Sequence, residues 1–281
     1  MQFGSFSVDL RQPRVMGVLN VTPDSFSDGG QHAQLETALT HARALLAQGA
    51  DFIDVGGEST RPGAVEVSEQ EELDRTIPVI ERLAAEIAVP ISIDTQKPVV
   101  MRAAVAAGAS LINDVAALRA EGALAAAADL NVPVCLMHMQ GAPRTMQQTP
   151  HYVDVVSEVA DFLQARAAAC VEAGIPHEHI LLDPGFGFGK TLDHNVTLMQ
   201  GLPQLTELGY PLLIGVSRKS MIGMLAGSVE EPVAVEQRLA GSVAAALFAV
   251  TQGAAILRVH DVAESVQALR VWQGLDQTLI H

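Results

Sequence analysis

Eight short apolar runs recur along the chain: RVMGVLN (14–20), FIDVGG (52–57), PISIDT (90–95), SLINDV (110–115), VPVCLMH (132–138), HILLDP (179–184), PLLIGVS (211–217) and AILRVH (255–260). Each has the length of one buried strand. Between them lie segments with apolar residues at helical spacing, among them 35–50, 69–87, 98–109 and 153–174, several closing on Gly as helix C-caps do. Strand then helix, eight times over, predicts an α/β chain folded as a (β/α)8 TIM barrel. A doubly wound open sheet uses the same alternation but seldom reaches eight units with two edges to protect. The first ten residues, MQFGSFSVDL, alternate like a short N-terminal β-hairpin suited to plugging the barrel's lower end. With no spacer or low-complexity tract to divide it, 1–281 reads as a single domain.

Of the 281 residues 49% are hydrophobic but only 4% aromatic, so aliphatic layers must fill the core. Seventeen basic against 32 acidic residues give a formal charge of −15, which works against nucleic-acid or anionic-membrane binding. Cations that hold an anionic substrate must therefore be local. The N-terminal stretch MQFGSFSVDLRQPR has no apolar signal core, and VAAALFAV (243–250) is too short to span a bilayer, so a cytoplasmic location is expected. Cys135 and Cys170, in a strand-like and a helical run, suit buried free thiols. The segment VEQRLAGSVAAALFAVTQGA is apolar almost all round, which calls for cover by another layer or a second copy, hence a homodimer.

In a barrel of this kind chemistry gathers at the C-terminal strand ends. The polar residues of the eight runs fall there: Asn20, Asp54, Asp94, Asn113 with Asp114, His138, Asp183, Ser217 with Arg218 and Lys219, and Arg258 with His260. Side chains alternate along a strand, so one of Asn113 and Asp114 must be structural. Asp94 and Asp183 together near an apolar axis are costly unless a ligand or cation meets them. Lys219, Arg258 and His260 belong to the seventh and eighth strands, where barrels often hold phosphate groups. Two long loops, VTPDSFSDGGQ (21–31) and GGESTRPGAVEVS (56–68), are candidate lids; the second carries Thr60, Arg61 and Pro62. His177 and His179 form an H-x-H pair without a third ligand nearby and read as a surface turn. His32, His41 and His151 read as solvated, and Trp272 as core.

The stretch LLDPGFGFGKT (181–191) raises the question of a phosphate loop, but Pro184 stands where the first Gly of Gly-x-x-x-x-Gly-Lys-Thr is required. The alternative is a ligand hook at Asp183, with Gly185, Gly187 and Gly189 letting backbone and phenyl rings crowd one face of a flat molecule.

Taken in order, MGVLNVTPDSFSDGG (16–30), DVGGESTRPGA, ISIDT, INDV, LMHMQGAP, LLDPGFGFGKT, GVSRKS and RVHDV resemble the dihydropteroate synthase family of bacterial folate biosynthesis. The resemblance spans nearly the whole chain. It implies a (β/α)8 barrel, typically homodimeric, that joins 6-hydroxymethyl-7,8-dihydropterin diphosphate to 4-aminobenzoate with release of pyrophosphate, and that sulfonamides inhibit by resembling the aminobenzoate. It implies a pterin site of Asp94, Asn113, Met137, Asp183, Phe188, Gly215 and Lys219, an aminobenzoate site of Thr60, Arg61, Pro62, Lys219 and Ser220, and a diphosphate site of Asn20, Arg61, Arg258 and His260. Mg2+ is expected as cofactor with Asn20 as its protein ligand, and Asp94, Lys219, Arg61, Arg258 and His260 are expected to carry catalysis. Two other readings are a pterin-dependent methyltransferase with a corrinoid partner and a catalytically silent pterin-binding paralogue. The TRPGA and SRKS segments weigh against the first, and the intact Asn20, Arg61, Lys219, Arg258 and His260 against the second.

Overall fold

The computed structural model describes residues 1–21, 31–59, 66–141 and 145–275. The short strands β1 (Gln2–Phe3) and β2 (Phe6–Ser7) pair antiparallel as the expected hairpin. Eight parallel strands follow: β3 (Arg14–Asn20), β4 (Phe52–Gly56), β5 (Ile91–Asp94), β6 (Leu111–Asp114), β7 (Val134–Met137), β8 (Ile180–Asp183), β9 (Leu212–Ile214) and β10 (Ala254–Val259). They close in sequence order, β10 pairing with β3, into one barrel. The helices between them are α1 (Gln31–Ala47), α2 (Glu69–Glu86), α3 (Pro98–Ala107), α4 (Ala123–Leu130), α5 (Val155–Glu172), α6 (Leu192–Gln200), α7 (Leu202–Thr206), α8 (Ser220–Ala226) and α9 (Leu239–Thr251), with α10 (Val262–Leu275) after the last strand. All eight strands lie within the apolar runs or one residue of them.

The strand period of two sorts each run into an outer and an inner set. Outward residues such as Leu19, Ile53, Val55, Ile93, Ile112, Leu136, Leu182, Ile214 and Leu257 pack beneath the helices in the main core. Inward residues of the lower barrel, Met16, Phe52, Leu111, Cys135, Leu181, Leu213 and Ile256, form a second core with Phe3 of the hairpin. Phe3 is fully buried and meets the Phe52 ring edge-on, with centroids 5.0 Å apart. The hairpin is therefore a plug. Two residues further along the strands, the same inward faces carry Asp54, Asn113, Asp183 and Arg258, so the polar layer begins directly above the apolar one.

Several helix starts follow local chemistry. Ser68 caps α2 by accepting from Glu71 N, and Asp154 caps α5 by accepting from Val156 N and Ser157 N. Thr191 and His194 form a reciprocal capping box on α6, directly behind the LLDPGFGFGK stretch. Cys135 and Cys170 are buried free thiols, and Trp272 packs against the main core. His177 and His179 lie in a single 3-10 turn, where His177 stacks on Tyr210. His41 and His151 are exposed, whereas the side chain of His32 lies outside the described residues. α9 buries Ser242, Ala246, Ala249 and Val250 but leaves Phe248 44% exposed, so the chain itself covers only one face of it. Among the described residues no helix is long and apolar enough to cross a membrane.

Candidate active site

The floor of the cup is an ion network. Arg258, from β10, donates Nε to Asp54 Oδ2 at 2.6 Å and Nη2 to Asp94 Oδ2 at 2.9 Å. Asn113 Nδ2 reaches the same Asp54 oxygen at 3.4 Å. Asp54 is fully buried and its Oδ1 has no hydrogen-bond partner. Burial pushes the Asp94 carboxyl up to about 7 against the pull of Arg258, with Asp54, Glu72 and Asp114 adding to the rise. The guanidinium is held above its ordinary range by Asp54 and Asp94, which outweigh its own desolvation. Two acids thus share one cation.

The wall beside this floor is the 183–189 segment. Asp183 Oδ1 accepts from Gly185 N at 2.7 Å, which aims the carboxylate along its own turn. Burial raises the Asp183 carboxyl, while Lys219, the Gly185 N–H, Arg258 and Lys190 draw it back. Lys219 Nζ donates to Phe186 O and lies 4.5 Å from the Phe188 ring centroid, a cation–π contact. Desolvation lowers that amine to about 8. Phe188 packs on Met137, Met139, Met146 and Val115, giving the wall an apolar and deformable backing.

At the mouth, Asn20 Oδ1 and Asp94 Oδ2 face the same space over Gly56, where an added Cβ would lie 3.7 and 3.8 Å from them. Gly215 leaves room for the Arg258 stem, whose Cβ and Cδ are 3.9 and 4.0 Å from where a side chain would begin. The His260 ring is set by Ser217 Oγ, 3.1 Å from Nδ1, and the same hydroxyl accepts from His260 N at 3.2 Å. Ser220 opens α8 next to Lys219 and is exposed. Thr60, Arg61, Pro62 and nearly all of the first candidate lid lie outside the described residues.

The geometry resolves the Asn113 and Asp114 alternative. Asp114 accepts from Ala116 N at 2.7 Å and Leu118 N at 2.8 Å, so it shapes the turn after β6, while Asn113 faces the cup. Asp94, Asn113, Met137, Asp183, Phe188, Lys219 and Arg258 belong to connected contacts; Asn20, Gly215 and His260 line the same strand ends. Arg218, next to Lys219, is instead engaged by Asp261. Sequence reasoning left two residues unassigned. Asp54 reads as one strand-end acid among several until its pairing with Arg258 is seen. Lys190 falls out of view once the phosphate-loop spacing fails.

A barrel whose floor pairs two acids with an arginine and whose wall sets a lysine against an aromatic ring suits a flat, polar heterocycle, and a family model described as pterin binding enzyme matches residues 16–260. The chain belongs to that family, and within it to the dihydropteroate synthases, which are transferases. The dihydropteroate synthase of Neisseria meningitidis serogroup C is 56% identical over 280 residues, 98% of this chain and 96% of that protein. The Xanthomonas albilineans dihydropteroate synthase in complex with 7,8-dihydropteroate superposes with a TM-score of 0.86 at 55% identity, covering 96% of each chain. The Yersinia pestis dihydropteroate synthase in complex with a sulfonamide drug gives 0.91 at 52% identity, covering 98% of each.

Proposed function

We propose that this enzyme condenses 6-hydroxymethyl-7,8-dihydropterin diphosphate with 4-aminobenzoate, forming 7,8-dihydropteroate and pyrophosphate, and that the residues of the cup divide the work as follows. The observation that carries the assignment of roles is the cup itself, in which Asp183 and Asp94 face the cations Lys219 and Arg258 above the apolar layer of the lower barrel. A pterin's 2-amino and N3–H groups form a paired donor edge that Asp183 accepts, while Lys219 and Asn113 donate to ring acceptors and Phe188 with Met137 supplies the flat surface. Charge-assisted bonds of this kind contribute about 1.5–3 kcal/mol each, enough to fix the orientation of the ring.

Arg258, His260, Asn20 and Arg61 take the diphosphate, and Thr60, Arg61, Pro62, Lys219 and Ser220 take the aminobenzoate. The mouth suits a Mg2+ ion: Asn20 Oδ1 opens there beside Asp94 and would hold it, a hard-oxygen setting in which water and phosphate would supply the remaining ligands. When bound, the ion supplies positive charge to the leaving diphosphate. No nucleophilic side chain with its base is required. The methylene C–O bond breaks with its electron pair leaving on pyrophosphate, ring nitrogens share the resulting positive charge, and the aniline nitrogen forms the new C–N bond and loses a proton. Asp94 stabilises the cationic pterin, so the protein's part is alignment and electrostatics.

A homodimer through the open face of α9 is part of the same proposal, supported by the half-exposed Phe248; a monomer in sedimentation at micromolar concentration overturns it. So are a cytoplasmic location and sulfonamide inhibition at the aminobenzoate site. The decisive assay incubates the protein with the pterin diphosphate, labelled 4-aminobenzoate and Mg2+. Labelled dihydropteroate and pyrophosphate are expected in equal amounts; loss of the product signal on chelation tests the ion, and a metal-independent rate removes it. Trapping experiments that yield no pterin cation, with a rate rising steeply in nucleophile strength, overturn the dissociative course.

A further inference from the structure

We infer that Lys190 is a positioning residue of the pterin site: its buried amine gathers the carbonyls of the 185–188 turn and thereby sets the Phe188 wall and the Asp183 carboxylate. The inference rests on the proposed pterin role of Asp183 and Phe188.

Lys190 is only 3% exposed, so its amine is not offered to a ligand. It donates to Gly185 O at 2.9 Å and Phe188 O at 3.1 Å, and its third contact is His138 Nδ1 at 2.9 Å. In its ammonium form Lys190 brings three donors to three acceptors, provided the His138 ring is neutral with its proton on Nε2. Burial and the neighbouring amine favour that state, lowering the ring to about 3. A phosphate loop converges N–H groups on an anion; here the same Gly-rich, Lys-terminated stretch is turned inside out and converges carbonyls on its own cation. The turn is also held from outside, where Gly187 N donates to Asn195 Oδ1 at 2.7 Å and Tyr152 OH to Gly189 O at 2.8 Å.

Filling space does not explain a lysine at this position. A methionine has nearly the same length and carries no desolvation penalty, whereas burial drags the Lys190 amine down to about 7. What the amine adds is fixed directions for the Gly185 and Phe188 carbonyls and, when protonated, a positive charge behind the hook. Burial raises the Asp183 carboxyl, and the charged groups that draw it back are Lys219, Arg258 and Lys190, all three favouring its ionised form, the form that accepts from a pterin's donor edge.

The test compares Lys190→Met and Asp183→Asn with the full-length enzyme, using calorimetric binding of 6-hydroxymethylpterin and steady-state kinetics. For Lys190→Met the pterin Kd and the KM for the pterin diphosphate should rise roughly tenfold or more, with the KM for 4-aminobenzoate within about twofold of wild type. A residue needed only for folding would lower the melting temperature and the active fraction but leave the pterin Kd of the folded molecules unchanged; that result overturns the inference. If Lys190→Met does not fold, His138→Leu removes one acceptor and should raise the same Kd about threefold, and an unchanged Kd is again fatal. Asp183→Asn separates the two layers of argument. Weak pterin binding there with normal binding in Lys190→Met sinks only the Lys190 role, whereas normal binding in Asp183→Asn sinks the hook itself.

Discussion

Replacing Gly185 by alanine tests whether the hook's position is set by close backbone approach. Gly185 has φ +69, and a Cβ built there would lie 1.8 Å from His138 O and 3.3 Å from Met137 Cγ. The left-handed conformation alone costs an alanine about 1–2 kcal/mol. The contact is worse. A comfortable C···O approach is about 3.3 Å or more, so the hook and the end of β7 must separate by roughly 1.5 Å. That movement breaks the bond from Gly185 N to Asp183 Oδ1 and the bond from Lys190 to Gly185 O, of which the first, to a charged acceptor, contributes about 1.5–3 kcal/mol. The sum is about 3–5 kcal/mol, and at about 2–4 °C per kcal/mol for a chain of this size the melting temperature should fall by roughly 10 °C. A wall displaced by more than 1 Å should also reduce kcat/KM by about 100-fold. Gly174→Ala is the matched control, with φ +99 and nothing within 4 Å of the added carbon. It should lose only the conformational part, a few degrees, with unchanged kinetics. Differential scanning fluorimetry and steady-state rates on both variants decide the matter. If Gly185→Ala behaves like Gly174→Ala in both measurements, the close-approach reasoning is wrong.

Other perturbations probe the floor and the plug. Arg258→Ala leaves the buried Asp54 and Asp94 without their cation and should destabilise the fold by about 3–5 kcal/mol in urea unfolding; adding Asp54→Asn should recover part of it, and strictly additive losses would refute the shared network. With the cation gone, binding of the pterin diphosphate should also weaken far more than binding of a plain pterin. Asp94 has a folded pKa of about 7, raised by burial above its unfolded value near 4, so the native state binds the extra proton between those limits. Its contribution to stability is full below about pH 4 and is lost as pH rises towards 7, whereas neutral His138, lowered to about 3, acts in the opposite sense between about 3 and 6.5. The difference between wild type and Asp94→Asn isolates the carboxyl: urea midpoints of the variant should gain on wild type from pH 5 to 7.5, and parallel curves would exclude the shift. Phe3→Ala empties the plug and should cost about 3–5 kcal/mol without altering either KM; a change in substrate affinity at constant stability would mean that the hairpin reaches the site.

The architecture was legible because barrel strands buried on both faces are short apolar runs, and because each closes on the polar residue that the mouth needs. Asn113 and Asp114 show where reading by pattern stops. Alternation required one of them to turn away, but only the N–H groups of Ala116 and Leu118 decide that it is Asp114. Asp54 read only as one strand-end acid among several, because its pairing with Arg258 joins residues 204 apart in the chain and no local signal carries that. Lys190 was obscured for a different reason. Gly-Lys-Thr at the end of a Gly-rich run invites a phosphate reading, and when the spacing fails nothing in the residues says that the amine points back into its own turn.

That direction, with the pairing of Arg258, bears on how a chain of charge −15 can capture an anion at all. Among the described cup residues the strong cations do not stand open: Arg258 is engaged by Asp54 and Asp94, Lys219 by the Phe186 carbonyl and Phe188 ring, and Lys190 by its own loop. A bare guanidinium at this depth would be expensive, and the two carboxylates offset that cost in the resting enzyme. If, as proposed, Arg258 takes the diphosphate, binding exchanges one anionic partner for another on a guanidinium already desolvated. Of the two partners Asp94 is the less buried, with a side chain 11% exposed against 0% for Asp54, and Asp94 is the acid proposed to face the electron-poor pterin. On the proposed roles, Arg258 joins the diphosphate half of the site to the pterin half through Asp94.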